Sequence, residues 1–194
     1  MIPFEPTSFP PQLKKIELKT KELEFDMASE YKTGSFLRAL AASKPGGRLL
    51  ELGTGTGFGT AWILAGMDGQ ASLLSVDNNA QVSAVAAQYL GEDRRLTLKV
   101  EDATVLIPTL EGQLFDFIFA DAWVGKFELL EETLALLGPG GVYIIDDLLP
   151  QPNWPENHGP RIAPLIESLQ ARSELSVVSM AWASGLVVAT KCGK

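Results

Sequence analysis

Cysteine and histidine each occur once in these 194 residues, as Cys192 and His158. A lone cysteine cannot close an internal disulfide, so the expected location is the cytoplasm. No apolar run approaches the roughly 18 residues a membrane span requires, and no membrane is expected as a partner. The opening stretch MIPFEPTSFPPQLKK lacks an apolar segment preceded by basic residues, so no signal peptide is expected. Basic residues are also scarce: 16 Lys and Arg against 24 Asp and Glu leave a net charge of -8. That balance disfavours a protein that tracks phosphate backbones, and nucleic acid is not an expected partner. Internal repeats and low-complexity segments are absent. What remains is a chain that is 46% hydrophobic, rich enough to bury a substantial core and short for two ordinary domains. One domain over 1–194 is expected, with 1–46 as an N-terminal helical segment and 47–194 as the ligand-binding core.

Apolar spacing predicts helices in PQLKKIELKTKELEF and in GSFLRALAAS, the second ended by KPGG at Lys44 to Gly47. Thereafter short apolar runs alternate with helical stretches. RLLEL precedes GTAWILAGM, ASLLSVD precedes AQVSAVAAQYL, and LTLKV precedes ATVLIPTL. FDFIFAD then precedes KFELLEETLALL, and GVYIID precedes APLIESLQA. The rhythm predicts an α/β fold, a mostly parallel sheet with helices on both faces. It breaks at the end, where LSVVSMAW and LVVATK are joined by ASG, too tightly for a helix. These two runs predict an antiparallel hairpin on the sheet edge. Leu129, Leu130, Leu134 and Leu137 read as a helical core stripe.

Where the first strand ends and its helix begins, the chain reads LLELGTGTGFGT, with Gly53, Gly55 and Gly57 at alternate positions. Open α/β sheets bind ligands beyond the carboxyl ends of their strands. Bare backbone there lets a ligand lie against the main chain, and the helix N-terminus favours a negative group. A turn that binds nothing would need fewer glycines. The nicotinamide pattern G-x-G-x-x-G is not completed, since the two frames end in Phe58 and Thr60. The phosphate loop fails as well, because Gly57 is followed by Phe58 and Gly59 rather than by Lys and Ser or Thr.

The stretch resembles the E/D-x-G-x-G-x-G signature of S-adenosylmethionine-dependent methyltransferases with the Rossmann-like, seven-stranded fold, with Glu51 as the acid. The terminal hairpin is similar to that family's reversed last strand. Asp77 closes the second strand about twenty residues past Gly57, in place to accept both ribose hydroxyls. Its alternative is the N-cap of the next helix, a role open also to Asn78 or Asn79. Asp102, after the third strand, is split between an adenine contact and an N-cap. The likeness implies a cofactor site at Met27, Ser29, Glu51, Gly53, Thr54, Gly55, Gly57, Phe58, Asp77, Asn78, Asp102, Ala103 and Asp121.

Within the superfamily the chain is most similar to the small catechol and caffeoyl-CoA type O-methyltransferases, through DMASEYKTGSFLRALAAS, FADA and IIDD. That likeness implies a metal site at Asp121, Asp146 and Asp147, whose oxygens suit a hard cation such as Mg²⁺. The blander reading is that the aspartates cap helices and line the cofactor edge. The lysine that the group commonly has three residues past the first metal aspartate is absent. Val124 stands there, with Lys126 two residues on. Lys126, Asp121 and His158 are the candidates for catalysis, with Lys126 or His158 to move the acceptor proton. Leu148 to Arg161, dense in proline, is an expected acceptor lid. In it Trp154 stacks on a planar substrate or, as preferred, anchors the loop. Trp123 and Phe127 are pocket wall or core. The expected activity is methyl transfer to a small-molecule oxygen, and a homodimer is an admissible assembly. A non-catalytic cofactor-binding or sensing protein is the alternative, motivated by the displaced lysine.

Overall fold

The computed structural model describes Pro6 and residues 8–193. The stretch that argues against a signal peptide therefore begins outside the described residues. Two helices come first, α1 (Leu13–Glu22) and α2 (Tyr31–Ala42), followed by β1 (Arg48–Leu52), α3 (Phe58–Gly66), β2 (Ser72–Asp77), α4 (Ala80–Leu90) and β3 (Leu96–Val100). The second half runs α5 (Ala103–Thr109), β4 (Phe115–Ala120), α6 (Leu130–Ala135), β5 (Leu137–Ile145), α7 (Gly159–Gln170), β6 (Leu175–Met180) and β7 (Leu186–Lys191). The seven strands form one sheet in the order β3-β2-β1-β4-β5-β7-β6.

The sheet is parallel from β3 to β5, and β7 runs antiparallel to both of its neighbours. The predicted α/β architecture is the observed one, including its end: β6 and β7 form an antiparallel hairpin on the sheet edge, with β7 beside β5 and β6 at the border. The strands at the centre are buried on both faces, which is why they read as continuous apolar runs. In β4, Phe117 and Phe119 join a core with Leu13, Ile16, Leu37 and Trp62, under α1, α2 and α3. Ile118 and Ala120 point the opposite way, into a core with Leu106, Leu134, Leu165 and Leu169 from α5, α6 and α7. Period-2 alternation thus sorts one strand between two helical layers.

Three predicted boundaries move. The helix expected from Lys126 begins only at Leu130, because Trp123–Glu128 folds into a tight turn with Gly125 N–H bonded to the Glu128 carbonyl at 2.7 Å. Leu137 opens β5 and so leaves the helical stripe, although it is buried in the same core as Leu134. The tail of the irregular segment is helical, since α7 starts at Gly159 with proline in its first turn, where a missing N–H costs nothing. Among the described residues no helix is long and apolar enough to cross a membrane.

Candidate active site

The carboxyl ends of β1, β2, β4 and β5 open onto a cavity of about 720 Å³, and a smaller one of about 220 Å³, lined by the glycine loop, shares Gly53, Asp77 and Asp121 with it. Loop and strand tips are tied together by backbone. Gly53 N–H bonds to the Val76 carbonyl at 2.9 Å, and Asp121 N–H bonds to the Leu52 carbonyl at 2.9 Å. Gly53 has φ +100°, and a Cβ there would come within 2.6 Å of the Asp121 carbonyl oxygen, so only glycine lets β1 and β4 close up at this point. Gly55 presents its N–H to Asp77 Oδ2 at 2.7 Å, and Asp77 Oδ1 takes the Asn79 N–H at 2.8 Å. The helix cap falls to Asn79, whose side chain accepts from Gln81 and Val82. Asp77 is thereby left at the cavity wall, with lone pairs to spare on both oxygens.

Most of the residues assigned to a cofactor line one or both cavities: Met27, Ser29, Gly53, Thr54, Gly55, Phe58, Asp77, Asn78, Asp102, Ala103 and Asp121. Two lie elsewhere. Gly57 faces α4, where a Cβ would sit 2.8 Å from that of Ala86. Glu51 is fully buried beneath the loop, with Oε2 accepting from Thr60 and Ser75 at 2.6 Å each. Its Oε1 has no partner among the described residues, and burial pushes its pKa up to about 8. Asp102 caps α5 through Thr104 N–H at 2.8 Å and also lines the cavity mouth, so its two readings coexist.

The floor of the larger cavity holds the three remaining aspartates and Lys126. Asp121 Oδ2 accepts from Ser29 Oγ at 2.8 Å, a contact spanning 92 positions of sequence. Asp146 is 2% exposed; its Oδ1 accepts from the Ser184 hydroxyl and from Asp147 N–H, and burial followed by the nearby Asp121 charge raises its pKa to about 7. Asp147 has φ +66° and turns its carboxylate toward the irregular segment, taking the Trp154 indole N–H at 2.6 Å. Lys126 is 2% exposed. Burial lowers its pKa against the attraction of Asp121, Asp147 and Asp146, while burial raises that of Asp121. The tight turn at Gly125, φ +83°, restores to the cavity a lysine that linear spacing puts out of place, and with it goes the motive for a non-catalytic reading.

His158 is 2% exposed and stacks on Trp154 at 4.2 Å between ring centroids, with Phe127 and Trp123 edge-on at 5.1 and 6.0 Å. Its Nε2 lies 3.1 Å from the Asp147 carbonyl oxygen, an acceptor only, so Nε2 carries the proton. Burial, followed by Lys126, lowers its pKa and keeps the ring neutral near pH 7. Trp154 is anchored, as preferred from the sequence, while also lining the cavity. The irregular segment reaches across to the N-terminal side, where Asn153 Nδ2 donates to the Asp26 carbonyl at 3.1 Å. Asn153 and Ser184 gave no signal in the sequence; one sits in a proline-dense stretch and the other in a hairpin turn.

The glycine loop, the Asp77 carboxylate and the cavity between them fit a nucleoside carrying an amino-acid tail. A hard cation fits less well. The cavity that Asp121, Asp146 and Asp147 line also holds the Lys126 side chain, a charge of the ion's own sign. Among the described residues, no group of three or more His, Cys, Asp or Glu is placed to hold a metal.

A family model described as a methyltransferase domain matches residues 50–148. The catechol O-methyltransferase of Mycobacterium tuberculosis is 31% identical over 120 residues, 60% of this chain and 54% of that protein. The chain thus spans about half the length of the curated relatives it matches first. Among solved structures, the O-methyltransferase TomG from Streptomyces achromogenes, in complex with SAM (S-adenosylmethionine), is similar with a TM-score of 0.81 at 24% identity, covering 94% of this chain and 90% of that one. The O-methyltransferase from Bacillus cereus, in complex with SAH (S-adenosylhomocysteine), gives 0.80 at 21% identity, covering 96% and 92%. At these identities the structural likeness bears on the fold.

Proposed function

The chain belongs to the methyltransferase-domain family, and from that premise we propose that it is an S-adenosylmethionine-dependent O-methyltransferase acting on a small-molecule hydroxyl. The observation that carries the reading is a pair of cavities with the shared wall Gly53, Asp77 and Asp121, one lined by the glycine loop and the other by the buried Lys126. When bound, S-adenosylmethionine supplies a methyl group on a positively charged sulfur; the C–S bond breaks as the acceptor oxygen takes the carbon, and the electron pair stays on sulfur. The protein's part is to hold the acceptor in line, exclude water and receive its proton. Asp77 grips the ribose, Ser29 orients Asp121, the Lys126 ammonium holds the acceptor oxygen, and the Asp121 carboxylate takes up its proton. Burial raises the pKa of Asp121 above the ordinary carboxylate value, which suits it to hold that proton. His158 is assigned to holding the aromatic wall, because it is buried and its ring stacks on Trp154 with Phe127 and Trp123 edge-on.

A cytoplasmic setting is part of the proposal and rests on cysteine usage alone; a homodimer is a separate expectation that light scattering reads. The central test is calorimetric titration of S-adenosylmethionine into wild type and Asp77→Asn, with turnover measured by mass spectrometry over a panel of hydroxyl acceptors. Losing a charged acceptor worth about 1.5–3 kcal/mol should weaken binding tenfold or more. Unchanged affinity removes Asp77 from the site, and binding without any turnover removes the enzyme.

A further inference from the structure

Lys126 is an unusual residue to bury. It is 2% exposed, its ammonium makes no hydrogen bond or ion pair among the described residues, and it lies 5.9 Å from the centroid of the Phe127 ring, on the floor of the cavity that Asp121, Asp146 and Asp147 also line. A cation held there without a direct partner is free to meet an incoming oxygen. We propose that the Lys126 ammonium supplies the positive charge that these carboxylates would otherwise draw from a divalent ion, and that the site therefore takes an aromatic acceptor through a single hydroxyl. The inference rests on the methyl-transfer reading above.

The second half follows from the difference between the two kinds of cation. A divalent ion with open coordination positions grips two adjacent oxygens and selects vicinal diols. An ammonium is a compact charge on a flexible stem, and it can hold one hydroxyl oxygen without a second at a fixed spacing. The walls around it suit a flat ring: Trp123, Trp154 and His158 line the cavity, with Phe127 packed edge-on against Trp123 and His158. Hydrogen bonds from Ser29, Ser184 and Trp154 each take one oxygen of Asp121, Asp146 and Asp147 and leave these carboxylates with acceptor capacity toward a cation.

Manganese titration followed by electron paramagnetic resonance separates the possibilities, with S-adenosylmethionine calorimetry on the same samples. Wild type should leave the spectrum of the free ion unchanged, and Lys126→Met should bind one Mn²⁺ per chain, released again when Asp146→Asn is added. If Lys126→Met does not fold, Lys126→Gln replaces it, and the wild-type titration stands without either. One Mn²⁺ bound by wild type and released in Asp146→Asn overturns the proposal, as does a folded Lys126→Met that stays blind to Mn²⁺. In turnover, a monohydroxylated ring should be methylated with chelator present; activity confined to vicinal diols or abolished by chelator overturns the acceptor assignment. Failure of wild type to bind S-adenosylmethionine would sink the methyltransferase reading instead, and the manganese result would still speak for the lysine.

Discussion

Glu51 is buried in a way that costs stability as the pH rises. Its carboxyl is held by Thr60 and Ser75 on one oxygen only, and its folded pKa of about 8 stands above the ordinary 4.5. A raised pKa means the folded chain keeps a proton that the unfolded chain gives up. The contribution is therefore fully present below about 4.5 and lost as pH climbs through about 8. Across that window the wild type should lose up to about 1.4 kcal/mol per pH unit from this group, while Glu51→Gln, which cannot titrate, should not. Urea midpoints of the two ligand-free proteins across the window should accordingly diverge in favour of the glutamine form. A gap that does not change with pH would mean that Glu51 is already ionised at neutrality.

The segment from Leu148 to His158 is irregular yet fastened along its length, by Leu149 N–H to the Ser184 carbonyl at 2.7 Å, Trp154 and His158 to Asp147, and Asn153 to the Asp26 carbonyl. The last bond joins it to the stretch bearing Met27, across the cavity mouth. Cutting after Glu156 by a glutamyl endopeptidase should be faster in Asn153→Ala and slower with S-adenosylmethionine bound, since proteolysis samples the open population. Equal rates in the three samples would make the clasp irrelevant to closure. Elements of this kind mark the limit of what the sequence discloses. The spans of β1, β3 and β7 match the apolar runs RLLEL, LTLKV and LVVATK, because short runs rich in Leu, Val and Thr carry a local strand signature. The glycine loop was legible for the same reason, its geometry being written in consecutive residues. The start of α6 was not, since Gly125 and the Trp123 carbonyl divert the chain into a turn that helical spacing cannot reveal. Nor were the Ser29–Asp121 and Ser184–Asp146 bonds, which join positions 92 and 38 apart and exist only once the sheet has formed.

For the molecule as a whole, the net charge of -8 is concentrated around the proposed site, where Asp26, Glu30, Asp77, Glu101, Asp102 and Glu128 join the floor aspartates in lining the cavity. Such a field attracts a sulfonium cofactor and is indifferent to its neutral product. The Kd of S-adenosylmethionine should therefore rise several-fold between about 50 and 500 mM salt, as screening shortens to a few ångströms, while that of S-adenosylhomocysteine moves less. Parallel salt dependence of the two would assign binding to contacts rather than field. The sheet order carries a different kind of consequence, one of timing. β6 pairs with no strand but β7, and β7 must already lie against β5 to receive it. During synthesis β6 leaves the ribosome first, with Val178 half exposed even in the finished fold, and it waits for its successor before it has a neighbour. Assembly at this border runs against the order of translation, so a pause between Met180 and Leu186 would hold open an adhesive strand that a nascent chain nearby could capture.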